Sequence, residues 1–207
     1  AISLVVSGGH TSLFLTHNET DYEPIGVTID DAAGEAFDKV GKILGLGYPA
    51  GPEIDAISQK GNEKAIQFPR SYLKKGSLDF SFSGIKTAVL YHCMGQNSKN
   101  TSEIPKLKGQ EIADIAASFQ EAVVDVLVDK TIFAANKFSS KSIIIGGGVA
   151  CNSRLRQKLT DAAKRRNIPL FYPSKKLCMD NAAMVAGLAS HKYGKKEFSN
   201  LEVEAIP

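Results

Sequence analysis

The last third of the chain alternates between two hydrophobic periods, and that alternation leaves few folds open. Ser142 to Ile145 is a short β-branched run, and Asn152 to Arg166 carries its apolar residues at helical spacing. Ile168 to Tyr172 is strand-like again, and Asn181 to Tyr193 is helical again. A βαβα order needs crossovers that lay the strands parallel in one sheet with helices packed on it.

The opening has a different rhythm. Leu4 to Val6, Ser12 to Thr16 and Glu23 to Ile29 are short runs rich in β-branched and aromatic residues. Gly8-Gly9-His10-Thr11 and His17-Asn18-Glu19-Thr20 supply turn chemistry between them, which predicts a three-stranded meander. From Asp30 onward Ala33, Ala36, Phe37, Val40, Ile43 and Leu44 recur at helical spacing until Gly45 and Gly47 end the run. Asp31, Glu35 and Asp38 form a carboxylate stripe on its polar side. A rigid Tyr48-Pro49-Ala50-Gly51-Pro52 loop and a short helix from Glu53 to Gln59 follow.

Residues 60 to 85 lack periodicity and are expected to form an excursion from the core. Helices over Lys86 to Met94 and Gln110 to Asn136, joined by a polar connector from Gln96 to Ser102, complete the middle. The whole order is β-β-β-α, a helical insertion over about 60–110, then α-β-α-β-α. That is the order of a ribonuclease-H-like layered α/β unit, a mixed sheet with helices on both faces.

Composition narrows the function classes. Hydrophobic residues make up 43% and charged residues 23%, the proportions of a packed globular domain. A net charge of +3 is too mild to announce a nucleic-acid binder by itself. Cys93, Cys151 and Cys178 form no C-x-x-C pair, which argues against a zinc ribbon or disulfide framework and for a reducing, cytoplasmic compartment. No apolar run approaches the roughly 20 residues that span a bilayer, so no membrane partner is expected. The chain enters its first strand at Ala1-Ile2-Ser3-Leu4 with no initiator Met, which suggests a cut.

Two glycine segments are candidates for ligand contact. Ser7-Gly8-Gly9-His10-Thr11 lies between two strands, where backbone N–H groups can approach an oxygen anion, although a plain hairpin turn wants the same glycines. Gly146-Gly147-Gly148-Val149-Ala150 follows a buried strand and precedes a helix, the place where α/β sheets hold ligands. A Cβ at Gly147 is expected to block a ligand there. Asn152 can cap the following helix or bond a ribose or base. Asp38 can bind a hydroxyl or metal or simply belong to a solvated face, and Asp180 can be a helix cap or a metal ligand. His10, His17, His92 and His191 show no metal-binding spacing, and Lys74-Lys75, Lys164-Arg165-Arg166, Lys175-Lys176 and Lys195-Lys196 fit solvated helix ends.

Taken together, the segments resemble the tRNA N6-adenosine threonylcarbamoyltransferase family, formerly labelled O-sialoglycoprotein endopeptidase or glycoprotease. The matching stretches are Leu-Val-Val-Ser-Gly-Gly-His-Thr at 4 to 11, Asp-Asp-Ala-Ala-Gly-Glu-Ala-Phe-Asp-Lys at 30 to 39, and Gly-Tyr-Pro-Ala-Gly-Pro-Glu-Ile-Asp at 47 to 55. They continue with Phe-Ser-Phe-Ser-Gly-Ile-Lys-Thr at 80 to 87, Gly-Gly-Gly-Val-Ala-Cys-Asn at 146 to 152, and Asp-Asn-Ala-Ala-Met at 180 to 184. The resemblance implies the actin, Hsp70 and sugar-kinase (ASKHA) fold, of which residues 1–207 would be the C-terminal lobe. The last helix, about 181–193, would pack on an N-terminal lobe that has no counterpart here.

The resemblance further implies transfer of a threonylcarbamoyl group from threonylcarbamoyl-AMP to N6 of the adenosine 3′ of a tRNA anticodon. It places Val5, Val6, Ser7, Gly8 and Gly9 in the adenylate pocket together with the Gly147 and Gly148 loop. Asp38, Gly51 and Asp55 would hold ribose or nearby groups, and Asn152 would contact the adenylate. Asp180 would be the one ligand from this chain to a divalent iron or zinc, completed by ligands outside it. Ala50 replaces a glycine of the family's loop and is expected to tighten it, and Cys151 stands where alanine is usual. Implied partners are tRNA, an inert paralogue forming a heterodimer, and an ATPase. The alternatives are a metal-dependent glycoprotease, for which no H-E-x-x-H helix is present, and a non-catalytic nucleotide-binding or scaffolding lobe.

Overall fold

The computed structural model describes residues 1–95, 107–200 and 202. The meander forms as expected, with β1 over Ile2–Val6, β2 over Thr11–Thr16 and β3 over Tyr22–Val27. The helices α1 (Ala33–Ile43), α2 (Gly51–Ser58), α3 (Ser83–Met94) and α4 (Gly109–Lys137) follow. Then come β4 (Ile143–Gly146), α5 (Ser153–Lys164), β5 (Leu170–Phe171) and α6 (Ala182–Gly194). One mixed sheet results, in the order β3-β2-β1-β4-β5. The meander pairs are antiparallel, while β1 with β4 and β4 with β5 are parallel, as the βαβα order requires.

Register puts alternate residues of the strands on one buried face. Leu4 stands opposite Leu13 on one side and Ile145 on the other, and with Ile2, Val6 and Ile143 they are almost completely removed from water. Packed against this face, α4 buries Phe119, Val123 and Leu127, and it also contacts α2 and α5. The other face leaves Val5, Ile144 and Phe171 exposed, and α6 buries none of its residues although it carries Met184, Val185 and Leu188. No described helix is long and apolar enough to cross a membrane.

Several boundaries move for identifiable reasons. The second helix begins at Gly51 instead of Glu53, since Pro52 is compatible with a first turn. β5 shrinks to two residues, flanked by Pro169 and Pro173, which have no N–H for a ladder. The connector expected over Gln96 to Ser102 lies outside the described residues.

Residues 60–82 are irregular as expected, but they are not an excursion from the core. Phe68, Leu78, Phe80 and Phe82 are buried in it. Two long-range clamps hold the segment there. Lys130 of α4 is 3% exposed, and its Nζ donates to the carbonyls of Tyr72 (3.1 Å), Ser77 (3.0 Å) and Asp79 (2.6 Å). Asp30 accepts from Ser81 Oγ (2.6 Å), Ser83 Oγ (2.7 Å), the Phe82 N–H (2.8 Å) and the Ser83 N–H (3.2 Å). Asp30 therefore satisfies donors at the start of α3 that the helix itself leaves unpaired.

Candidate functional site

The parallel strands β1 and β4 both finish at the same end of the sheet, where the loop after β1 meets the first turn of α1 and the turn after β4 leads to a contact with α2. Between them lies a cleft of about 490 Å³ lined by Gly8, Asp38, Gly51, Asp55, Gly148 and Asn152 among others. These residues are far apart in sequence, and the sheet topology is what brings them together. The position is the one at which open α/β sheets hold ligands. Phe37, Pro49, Pro52, Val149 and Met179 give the cleft apolar walls.

The glycines divide into two kinds. Gly147 has φ of +96°, and a Cβ there would run into the backbone of Val6, so the turn itself demands glycine. The turn thus gives Gly147 a packing reason of its own. Gly34 likewise lets the first turn of α1 rest on the Ser7 carbonyl, to which its N–H donates over 3.1 Å. By contrast, a Cβ on Gly8, Gly51 or Gly148 would meet nothing within 4 Å. Packing does not explain these three, and they leave bare backbone along the cleft.

The polar candidates are built into the frame as well as facing the cleft. Asp38 Oδ1 accepts the Ala50 N–H at 2.8 Å and ties the loop before α2 to α1. Ala50 is fully buried against Gly41, where a second Cβ would collide with its own, so the alanine fills that contact. Asp55 accepts from Ser153 Oγ (2.7 Å) and the Ser153 N–H (3.1 Å), joining α2 to the start of α5. Asn152 caps α5 by accepting the Leu155 N–H at 2.9 Å, and its Nδ2 donates to Gln120 Oε1 at 2.7 Å. Each end of the Asn152 amide thus makes one bond to the frame, and the residue lines the cleft.

Other candidates lie elsewhere. Val6 is in the core and Val5 is on the exposed sheet face. The Ser7 Oγ accepts the His10 N–H at 3.1 Å and closes the hairpin, while Gly9 is exposed at its tip. Asp180 is exposed just before α6, and the capping role open to it belongs to Asn181, whose Oδ1 accepts the Met184 N–H at 3.0 Å. Among the described residues no three His, Cys, Asp or Glu side chains gather as a metal site.

Cys151, Lys175 and Met179 also line the cleft, although the sequence does not single them out as ligand contacts. Burial, then the neighbouring Cys178 thiol, push the Cys151 thiol up. Lys175 belongs to a dispersed basic pair, and only the tertiary fold turns it to the cleft. A second cavity of about 540 Å³ lies between α4 and α5, and several of its charges are engaged in ion pairs. Arg154 and Lys158 pair with Glu121, and Lys158 also pairs with Asp125. Burial alone would raise Glu121, but the hydrogen bonds from Arg154 and Lys158 hold its carboxyl below the ordinary range.

A family model described as tRNA N6-adenosine threonylcarbamoyltransferase matches residues 1–187. A protein of that name from Moorella thermoacetica is 48% identical over 209 residues, covering 100% of this chain and 58% of that protein. One from Clostridium botulinum (strain Kyoto) is 50% identical over 206 residues, with 99% and 58% coverage. The chain thus spans a little over half the length of these relatives. Among solved structures, full-length HypF in the phosphate- and nucleotide-bound form superposes with a TM-score of 0.68 at 13% identity, covering 96% of this chain and 41% of that one. HypF of T. kodakarensis gives 0.55 at 17% identity, with 84% and 21% coverage. Both likenesses concern the fold.

Proposed function

This chain belongs to the tRNA N6-adenosine threonylcarbamoyltransferase family, and we propose that its cleft takes the adenylate from which the threonylcarbamoyl group passes to N6 of the adenosine 3′ of a tRNA anticodon. The observation that carries this reading is the cleft itself, in which the unsubstituted backbone of Gly8, Gly51 and Gly148 faces open space beside the carboxylates of Asp38 and Asp55. Glycine-loop N–H groups can approach a phosphate or a developing oxyanion, and a carboxylate oxygen can accept a ribose hydroxyl. Only Oδ1 of Asp38 is engaged by Ala50, which leaves acceptor capacity for such a hydroxyl.

In the proposed reaction the N6 amine attacks the carbamoyl carbonyl, a C–N bond forms, the C–O bond to the phosphate breaks with its electron pair leaving on AMP, and one amine proton is released to water. The residues described here do not by themselves fit a divalent metal, because no three ligands gather. Asp180 is proposed as a single carboxylate ligand to iron or zinc, with the remaining ligands outside the 207 residues. A metal so held would supply Lewis-acid chemistry to a carbonyl or phosphate oxygen. The uncovered apolar side chains of α6 are proposed to pack on the portion of the relatives' length that this chain does not span. Proposed partners are tRNA, a catalytically inert paralogue and an ATPase.

The test is threonylcarbamoyl transfer to unmodified tRNA by the chain joined to the remaining length of its Moorella thermoacetica relative. Transfer that is lost in the Gly148→Val variant supports the reading. Transfer at the unaltered rate in that variant contradicts it.

A further inference from the structure

We infer that Lys175 reads the phosphate of the adenylate and thereby fixes which way round the nucleotide lies in the cleft; this rests on the adenylate reading above. Lys175 is the one lysine or arginine among the described lining residues. No described carboxylate lies within salt-bridge distance of it. The acids of the cleft, Asp38 and Asp55, come from α1 and α2, whereas Lys175 lies on the side of Gly148 and Cys151. An anion is repelled by the first pair and attracted by the ammonium, while ribose hydroxyls suit the carboxylates.

The backbone that carries Lys175 is strapped in place, although nothing in its sequence context marks it as a site. Cys151 Sγ donates to the Lys175 carbonyl at 3.5 Å. Arg156 of α5 donates to the Pro173 carbonyl at 3.0 Å, contacts Cys178 Sγ at 3.3 Å, and lies over the Tyr172 ring at 4.5 Å. The Leu177 N–H closes a turn on the Ser174 carbonyl at 2.9 Å. The segment after β5 is therefore fixed to the same turn that carries Gly148, and the ammonium works from a defined anchor at the rim. Lys176, one residue on, does not line the cleft.

Calorimetric titration of the chain joined to the remaining length of its Moorella thermoacetica relative, with AMP and with adenosine, tests this. In Lys175→Ala the AMP affinity is expected to fall about fivefold while adenosine affinity stays unchanged, the scale of one solvent-accessible ion pair. Added salt should weaken AMP binding to the parent chain and barely affect the variant. Lys175→Arg should retain AMP affinity, and Lys176→Ala should match the parent. Equal loss of AMP and adenosine, or loss of neither, in Lys175→Ala overturns the inference while leaving the adenylate reading intact. A joined parent protein that binds neither ligand overturns both.

Discussion

The Asp55 carboxylate on α2 receives two hydrogen bonds from Ser153 at the start of α5, 98 residues further along the chain. This pair joins two walls of the cleft, and it also occupies a donor that the first turn of α5 leaves unpaired. Asp55→Ala is expected to lower stability by about 1–3 kcal/mol, since it orphans an N–H and a hydroxyl at once. Ser153→Ala removes only the hydroxyl donor and is expected to cost less. Urea unfolding of the two variants measures the difference; equal costs would mean that the backbone bond contributes nothing.

Gly147 and Gly148 are adjacent, yet substitution should act on different properties. Gly147→Val forces a β-branched residue into positive φ and against the Val6 backbone, so the loss should be in stability, about 2 kcal/mol or more. Gly148→Val meets open space and should keep the melting temperature within a few degrees of the parent while weakening AMP binding at least tenfold, a difference of about 1.4 kcal/mol. Thermal unfolding and titration on the same preparations separate the two.

Asp30 gives the fold a pH dependence whose sign is fixed. Burial alone would raise its carboxyl, but the bonds from Ser81, Phe82 and Ser83 prevail and hold it below the ordinary range. A folded value below the unfolded one contributes stability above the unfolded value near 4, and that contribution is lost as pH falls through the folded value. Asp30→Asn should therefore be less stable than the parent at pH 6, and the gap should narrow toward pH 3. A gap independent of pH would show that the charge of Asp30 plays no part.

Lys130 makes a further check on the segment between α2 and α3. Burial pulls its ammonium below the usual lysine range, with the nearby Asp79 charge opposing, yet three carbonyls depend on it. Lys130→Met should lower stability by roughly 2–4 kcal/mol, because the carbonyls lose their donor. Limited proteolysis should then cut first between Tyr72 and Asp79.

What was legible in the sequence was local or periodic. The β-branched run from Leu4 to Val6, the helical spacing from Ala33 to Leu44 and the strand–glycine–helix order around Gly147 each follow from one short stretch, and the structure contains all of them. The clamps were not legible. Asp30 lies 51 to 53 residues from its serines and Lys130 lies 51 to 58 residues from its carbonyls, distances over which side-chain pattern carries no pairing information. For that reason residues 60–82 had the composition of an excursion while belonging to the core. In the candidate site, motifs located the glycine loops and Asp38, whereas Lys175 depends on how the segment after β5 is strapped to Arg156 and Cys151.

Amide hydrogen exchange with and without AMP tests the central claim most directly, because it locates the ligand residue by residue. The account predicts slowed exchange at Gly8, Gly51, Gly148, Val149 and Cys151. Protection instead along the groove between α4 and α5, at Asp129 and Arg165, or no protection at the glycine loops with AMP bound, would contradict it.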